Sequence, residues 1–136
     1  MKFKYSQLPT VKSKVVLAPI VPVTFKYQDK EFSTFALVDS GASGAMISTV
    51  IADALGIQWH KIPTEVGFTP SGQFRFHTVK NIVAEINGNT FSINLSIAEG
   101  ISPYQCILGQ KDLFQKAKII FEAYNQEFEI IFRNYN

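Results

Sequence analysis

No stretch of this chain keeps a single hydrophobic period for long. Phe, Ile, Val, Tyr and Thr recur in short runs, and nearly every run is closed by Gly, Pro, Asn or Asp. Segments of that kind bury an apolar face by pairing with other strands, so the pattern predicts an all-β chain, a closed or partly closed barrel of short strands. The longest apolar run, Val15 to Val23, contains Pro19 and Pro22 and therefore suits an edge or bent extended segment.

Turn chemistry divides the rest. Val23 to Tyr27 and Phe32 to Val38 flank the polar Gln28-Asp29-Lys30 and predict a hairpin whose second arm runs into the core. Val66 to Phe68 and Gln73 to Phe76 flank Thr69-Pro70-Ser71-Gly72, a tight turn with Pro at its second place. Ile82 to Ile86 and Thr90 to Ile97 surround Asn87-Gly88-Asn89, and Asn-Gly is a strong hairpin signal. Lys118 to Glu122 and Glu127 to Phe132 close the chain as two alternating strands. A helix is expected near residues 48 to 55, capped by Ser48 or Thr49 and stopped by Gly56, and a shorter one near 111 to 117.

With 136 residues, 46% of them apolar and 18% charged, one compact domain with its own core is expected, too short for a TIM barrel or a full α/β-hydrolase. A formal charge of +2 without a basic block gives no nucleic-acid footprint. Cys106 stands alone, so no intrachain disulfide forms, and it reads as a buried apolar residue. Neither a signal peptide nor a membrane span is evident, and a cytoplasmic location is the expectation.

The most informative residues are Asp39-Ser40-Gly41-Ala42-Ser43-Gly44, where small and turn-forming residues interrupt an apolar strand directly after its end. A carboxylate held by a sharp turn at the edge of a core is placed for acid–base work. Taken alone, Asp-Ser-Gly is common in turns that serve only their own amides. The order of parts decides otherwise: Phe35-Ala36-Leu37-Val38-Asp39-Ser40-Gly41-Ala42, a helix ending at Leu55-Gly56, a hairpin tipped by Thr69 to Gly72, then Ile107-Leu108-Gly109 before a short helix.

That order, from about Val15 to Phe132, resembles the retropepsin-like aspartic proteases, the single-lobe family of retroviruses, retrotransposons and their cellular relatives. The resemblance implies that Asp39 is catalytic, that Ser40, Gly41 and Ala42 support the active-site loop, and that Thr69, Pro70, Ser71 and Gly72 form a flap over bound peptide. It implies that Ile107, Leu108 and Gly109 are the apolar-Gly motif packed beside the catalytic loop. Relatives often follow that glycine with Arg and then Asp or Asn, the Arg bracing the dimer base. Here Gln110-Lys111-Asp112 follows, leaving Lys111 as a less directional substitute and Asp112 in a capping role.

The implied chemistry needs two carboxylates, one ionised to take a proton from water and one protonated to polarise the peptide carbonyl. Asp29, Asp53 and Asp112 are not followed by Ser/Thr-Gly, so the partner is expected from Asp39 of a second chain. The expectation is thus a homodimeric endopeptidase acting on extended peptides, without metal or organic cofactor, and without nucleic-acid or membrane partners. Residues 1–14 are expected as a dimer strand or a self-inhibiting arm ahead of the protease domain at 15–136.

Two other readings compete. Gly41-Ala42-Ser43-Gly44-Ala45 differs at one position from a nucleophile elbow, with Ser43 as nucleophile and His60 or His77 as base, but the alternating β/α units of that fold are missing. The other is a retropepsin-like dimer with weak or no activity that holds an extended peptide. The two histidines are otherwise expected at surface or partly buried positions and Trp59 in packing. Phe121, Tyr124, Phe128, Phe132 and Tyr135 are expected as core residues of alternating strands.

Overall fold

The computed structural model describes residues 1–8, 16–70, 72–100 and 104–133. In chain order the strands are β1 (Lys2–Lys4), β2 (Ser6–Leu8), β3 (Val16–Ala18), β4 (Ile20–Tyr27), β5 (Lys30–Val38) and β6 (Ala45–Ser48). Helix α1 (Thr49–Ala54) follows, then β7 (Glu65–Thr69), β8 (Gly72–Ile86), β9 (Asn89–Ala98), β10 (Cys106–Leu108), β11 (Ala117–Glu122) and β12 (Glu127–Phe132). The main sheet runs β4-β5-β10-β6-β9-β8-β7, and β4 pairs back onto β8 through Thr24↔Glu85 to Lys26↔Val83. That return closes six strands into a barrel and leaves β7 outside as an edge.

The three hairpins form where turn chemistry places them. Tyr27 pairs with Lys30 across Gln28-Asp29, with Gln28 in the left-handed region at φ 54°. Ile86 pairs with Asn89 across Asn87 (φ 47°) and Gly88 (φ 83°), the double positive φ that a primed two-residue turn requires. Thr69 pairs with Gly72 at the tip of the β7–β8 hairpin. Pro22 stands in the half of β4 that lies outside the β8 pairing, so its missing N–H interrupts no second ladder.

β8 is longer than expected, because the segments read separately as Gln73 to Phe76 and Ile82 to Ile86 belong to one strand. Val79 pairs with Leu95 and Ile82 with Ile93, so Lys80 and Asn81 together oppose Asn94 alone. This bulge, with Asn81 at φ 61° and its amide donating to Asn94 Oδ1 at 3.3 Å, shifts the inward phase by one residue. His77 and Val79 before it and Ile82, Ala84 and Ile86 after it all face the core.

The interior joins Val21, Val23 and Phe25 of β4, Ile47 of β6, Leu95 and Ile97 of β9, Leu108 of β10, and Ile51 and Leu55 of the helical segment. Ser48 caps α1, its Oγ accepting from Ile51 N, and the chain leaves α1 through Gly56 at φ 71°. The second expected helix is reduced to one irregular turn over Gln110–Phe114. Lys111 there is extended and Asp112 adopts φ 71°, ψ −67°, a strained geometry that prevents two regular turns.

The described part of residues 1–14 pairs within the same chain. β1 lies antiparallel to β12 in a sheet ordered β1-β12-β11, and β2 pairs with β3. The boundary expected at residue 14 lies outside the described residues. In the terminal sheet Phe3, Phe128 and Phe121 stack in one cross-strand row, with centroids 5.2 and 6.2 Å apart. Phe128 is buried, but Tyr124 is 82% exposed because it sits in the turn between β11 and β12 rather than on a strand. Tyr135 lies outside the described residues.

Candidate active site

Asp39 is the first residue beyond β5, and its position is fixed by the strand inserted beside it. β10 lies parallel to β5, pairing Leu37 with Ile107 and Val38 with Leu108, and antiparallel to β6 on its other side. The amide of Asp39 extends this ladder one step by donating to Leu108 O at 2.9 Å. The chain then turns sharply: Asp39 O accepts from Ala42 N at 3.2 Å and Asp39 Oδ1 from Gly41 N at 2.9 Å. A Cβ at residue 41 would stand 3.2 Å from that same carboxylate oxygen and would press on it, so glycine leaves the Asp39 side chain its place.

A second loop braces the first. Gln110 N donates to Ala42 O and Lys111 N to Ser43 O, both at 2.9 Å. Gln110 Nε2 reaches Ser40 O at 2.7 Å. Such contact requires residue 109 to have no side chain, since a Cβ there would fall 2.5 Å from Ala42 O and 2.8 Å from Gly44 O. Gly109 therefore serves close approach of two backbones, and Leu108 beside it is fully buried.

Beyond these loops lies a cleft of about 880 Å³, lined by Gly41 to Met46, by Ile107, and by the inner face of the β7–β8 hairpin. Its floor is a transverse row: Thr78 pairs with Ser96, Ser96 with Met46, and Met46 with Ile107, across β8, β9, β6 and β10. These four are half-buried, while their strand neighbours on the opposite face form the core. On the hairpin, Phe74 lies across Gly67, where a Cβ would clash with its ring, and Phe76 stands 5.4 Å from Phe74. An aromatic ring thus covers the gap that glycine leaves in an edge strand.

Of the expected flap residues, Thr69 and Pro70 line the cleft, and Thr69 Oγ1 donates to Gly72 O at 3.1 Å. Ser71 lies outside the described residues. Asp112 lines the far side of the cleft, and instead of capping its own segment its Oδ2 accepts from Asn94 N at 3.4 Å, tying the irregular turn to β9. Burial raises its carboxyl above the usual range, against the opposing pull of the Asn94 amide and the Lys116 and Lys111 charges. Gln110 is the site residue that the sequence reading missed, because its role is a long-range bond to a backbone carbonyl.

Ser43 is exposed, and neither histidine lines the cleft beside it. His77, expected at a surface or partly buried position, is only 2% exposed, since residue 77 falls on the core-facing phase of β8. Its Nδ1 bonds Ile62 O at 2.8 Å and its Nε2 bonds Glu99 Oε2 at 2.7 Å. A carbonyl and a carboxylate both accept, so only the protonated ring satisfies the two at once, and the pair favours the imidazolium. Burial disfavours that charge, but the bonds to Ile62 and Glu99, the Glu99 carboxylate and the Pro63 backbone outweigh it and raise the His77 pKa. His60 stacks on Trp59, whose Nε1 donates to Asp53 Oδ1 at 2.9 Å. Cys106 is buried, and burial pushes its thiol pKa far up, which makes it inert.

No protein-family model matches the sequence, and no curated protein matches it. Among solved structures, the chain is similar to a retropepsin-like aspartic protease from Rickettsia conorii, with a TM-score of 0.63 and 17% identity. The match covers 82% of this chain and 96% of that one. The likeness is one of fold: an all-β, retropepsin-like barrel.

Proposed function

We propose that this protein is an aspartic endopeptidase whose active form is a homodimer. The observation that carries the reading is Asp39: a carboxylate fixed at a strand end by backbone hydrogen bonds, on a loop clamped by Gln110 whose following residues, from Gly41 on, line a cleft shared with the β7–β8 hairpin. In the dimer, two Asp39 carboxylates a few ångströms apart share one proton, because both cannot ionise at that distance. The ionised one takes a proton from water, the protonated one polarises the peptide carbonyl, and the proton ends on the departing amine.

Neither Asp29 nor Asp53 lines the cleft, and Asp112, which does, has its Oδ2 on the Asn94 amide, which supports a second chain as the source of the partner. Asp29 lies in the β4–β5 turn, Asp53 accepts from Trp59, and Asp112 faces Asn94. Substrate would lie extended between floor and hairpin, its apolar side chains against Phe74, Phe76, Met46 and Ile107. The test is cleavage of a peptide mixture in acid solution by the parent and by Asp39→Asn, with fold and dimerisation verified for both. Loss of several orders of magnitude in the variant is expected. Equal cleavage by both would refute the mechanism, and no cleavage by either would favour the peptide-holding module instead.

A further inference from the structure

Three charged residues line the cleft, Lys111 and Asp112 on the loop side and Glu65 on the hairpin. Glu65 opens β7 opposite Phe76, on the same face as Gly67 and Phe74, and so belongs to the inner surface of the hairpin. Thr78 Oγ1 donates to its Oε2 at 2.7 Å and holds the carboxylate in place with its other oxygen available. The charges on an edge strand ordinarily serve to discourage further pairing. Glu65 instead lines the cleft.

Its carboxylate is exposed and forms no ion pair with a described residue, although Lys111 lines the same cleft. Lys111 and Lys116 stand close enough to Asp112, the other carboxylate of the lining, to act on its charge, and Lys116 Nζ also donates to Ser92 O at 2.8 Å. The ion pairs among the described residues are Met1 with Glu129, Lys26 with Glu85, and His77 with Glu99, none of which includes Glu65. Apolar surface stands next to Glu65 in Phe76 and Phe74, with Met46 across the cleft. A flexible aliphatic stem with a cationic head fits that combination, the stem on the rings and the head at the carboxylate.

We propose that Glu65 is a specificity-determining residue that selects a lysine or arginine side chain of the peptide substrate. The inference rests on the cleft being a peptide cleft, as proposed above. Its test compares peptides differing only in Lys, norleucine or Glu at one position, scanned across the cleaved bond, at one fixed pH. The parent should prefer Lys over norleucine about tenfold in kcat/KM at one position, the scale of a single charge-assisted hydrogen bond. Glu65→Gln should abolish that ratio, and Glu65→Lys should invert it in favour of Glu.

The same peptides with a non-cleavable reduced bond, measured by fluorescence anisotropy, separate this inference from the enzymatic one. Lys-dependent binding that Glu65→Gln removes, without cleavage of the parent peptides, would sustain the role of Glu65 and sink the peptidase. Cleavage with the same Lys-to-norleucine ratio in parent and Glu65→Gln would overturn the role of Glu65 alone. Absence of both binding and cleavage would overturn both.

Discussion

Replacing His77 by phenylalanine removes a charged donor that ties together three segments at the root of the β7–β8 hairpin. Its ring joins β8 to the Ile62 carbonyl just ahead of β7 and to Glu99 just after β9, with Trp59 packed 5.2 Å away. One of the two bonds is charge-assisted on both sides, a class that contributes about 1.5–3 kcal/mol, and the other is an imidazolium bond to a part-buried carbonyl. Glu99 retains one-third of its side-chain exposure and recovers hydration when its partner is lost, which discounts the sum. A net loss of about 2–3 kcal/mol at pH 5 is expected for His77→Phe.

The pH dependence has a fixed sign. The folded-state pKa of His77 is raised, so its contribution is fully present below the ordinary histidine value and is lost as pH rises through the folded value. Neutral His77 keeps one donor for two acceptors, so the difference between parent and His77→Phe should shrink by about half toward pH 9. His77→Gln, which keeps a donor but no charge, should recover part of the stability without this pH dependence. Urea denaturation of the three proteins from pH 5 to pH 9 measures it. A gap between parent and His77→Phe that stays constant, or widens with rising pH, would refute the charged clamp.

Gly109→Ala should destabilise by about 2–4 kcal/mol, since the new methyl meets two backbone carbonyls that cannot rotate away, and thermal unfolding would show it; an unchanged Tm would mean the two loops are not in contact. Gln110→Ala should cost about 1 kcal/mol by removing the bond to Ser40 O, and hydrogen exchange should rise at the amides of Gly41 and Ala42. Unaltered exchange there would assign the bracing to the backbone bonds alone.

What the sequence disclosed follows from how local each cause is. Asn87-Gly88 sets its own left-handed dihedrals, and Pro70 with Gly72 closes its hairpin within four residues, so those features are written in adjacent positions. In the sequence, Asp39-Ser40-Gly41 and Leu108-Gly109 are linked only by the resemblance to a known family; in the fold, Asp39 N donates to Leu108 O and Gly109 packs against the Ala42 and Gly44 carbonyls. β6 is only Ala45–Ser48, and it exists because β10 and β9 pair on either side of it, so nothing within those four residues announces a strand. The bulge at Lys80 and Asn81 broke the alternation that would have joined the two halves of β8, and with it hid the inward phase of His77. Gln110 acts through Ser40 O, a partner that only the closed barrel brings near.

The central claim, that catalysis needs one Asp39 from each of two chains, is tested most directly by subunit mixing. Parent protein is equilibrated with increasing amounts of Asp39→Asn, and peptide cleavage is followed at constant parent concentration well above the dimer dissociation constant. Random pairing with an equal amount of variant leaves about half of the parent chains in parent homodimers, so activity should fall to about half, and to about one tenth at a ninefold excess. Activity that stays constant as the variant is added, with exchange of subunits demonstrated, would contradict the shared dyad.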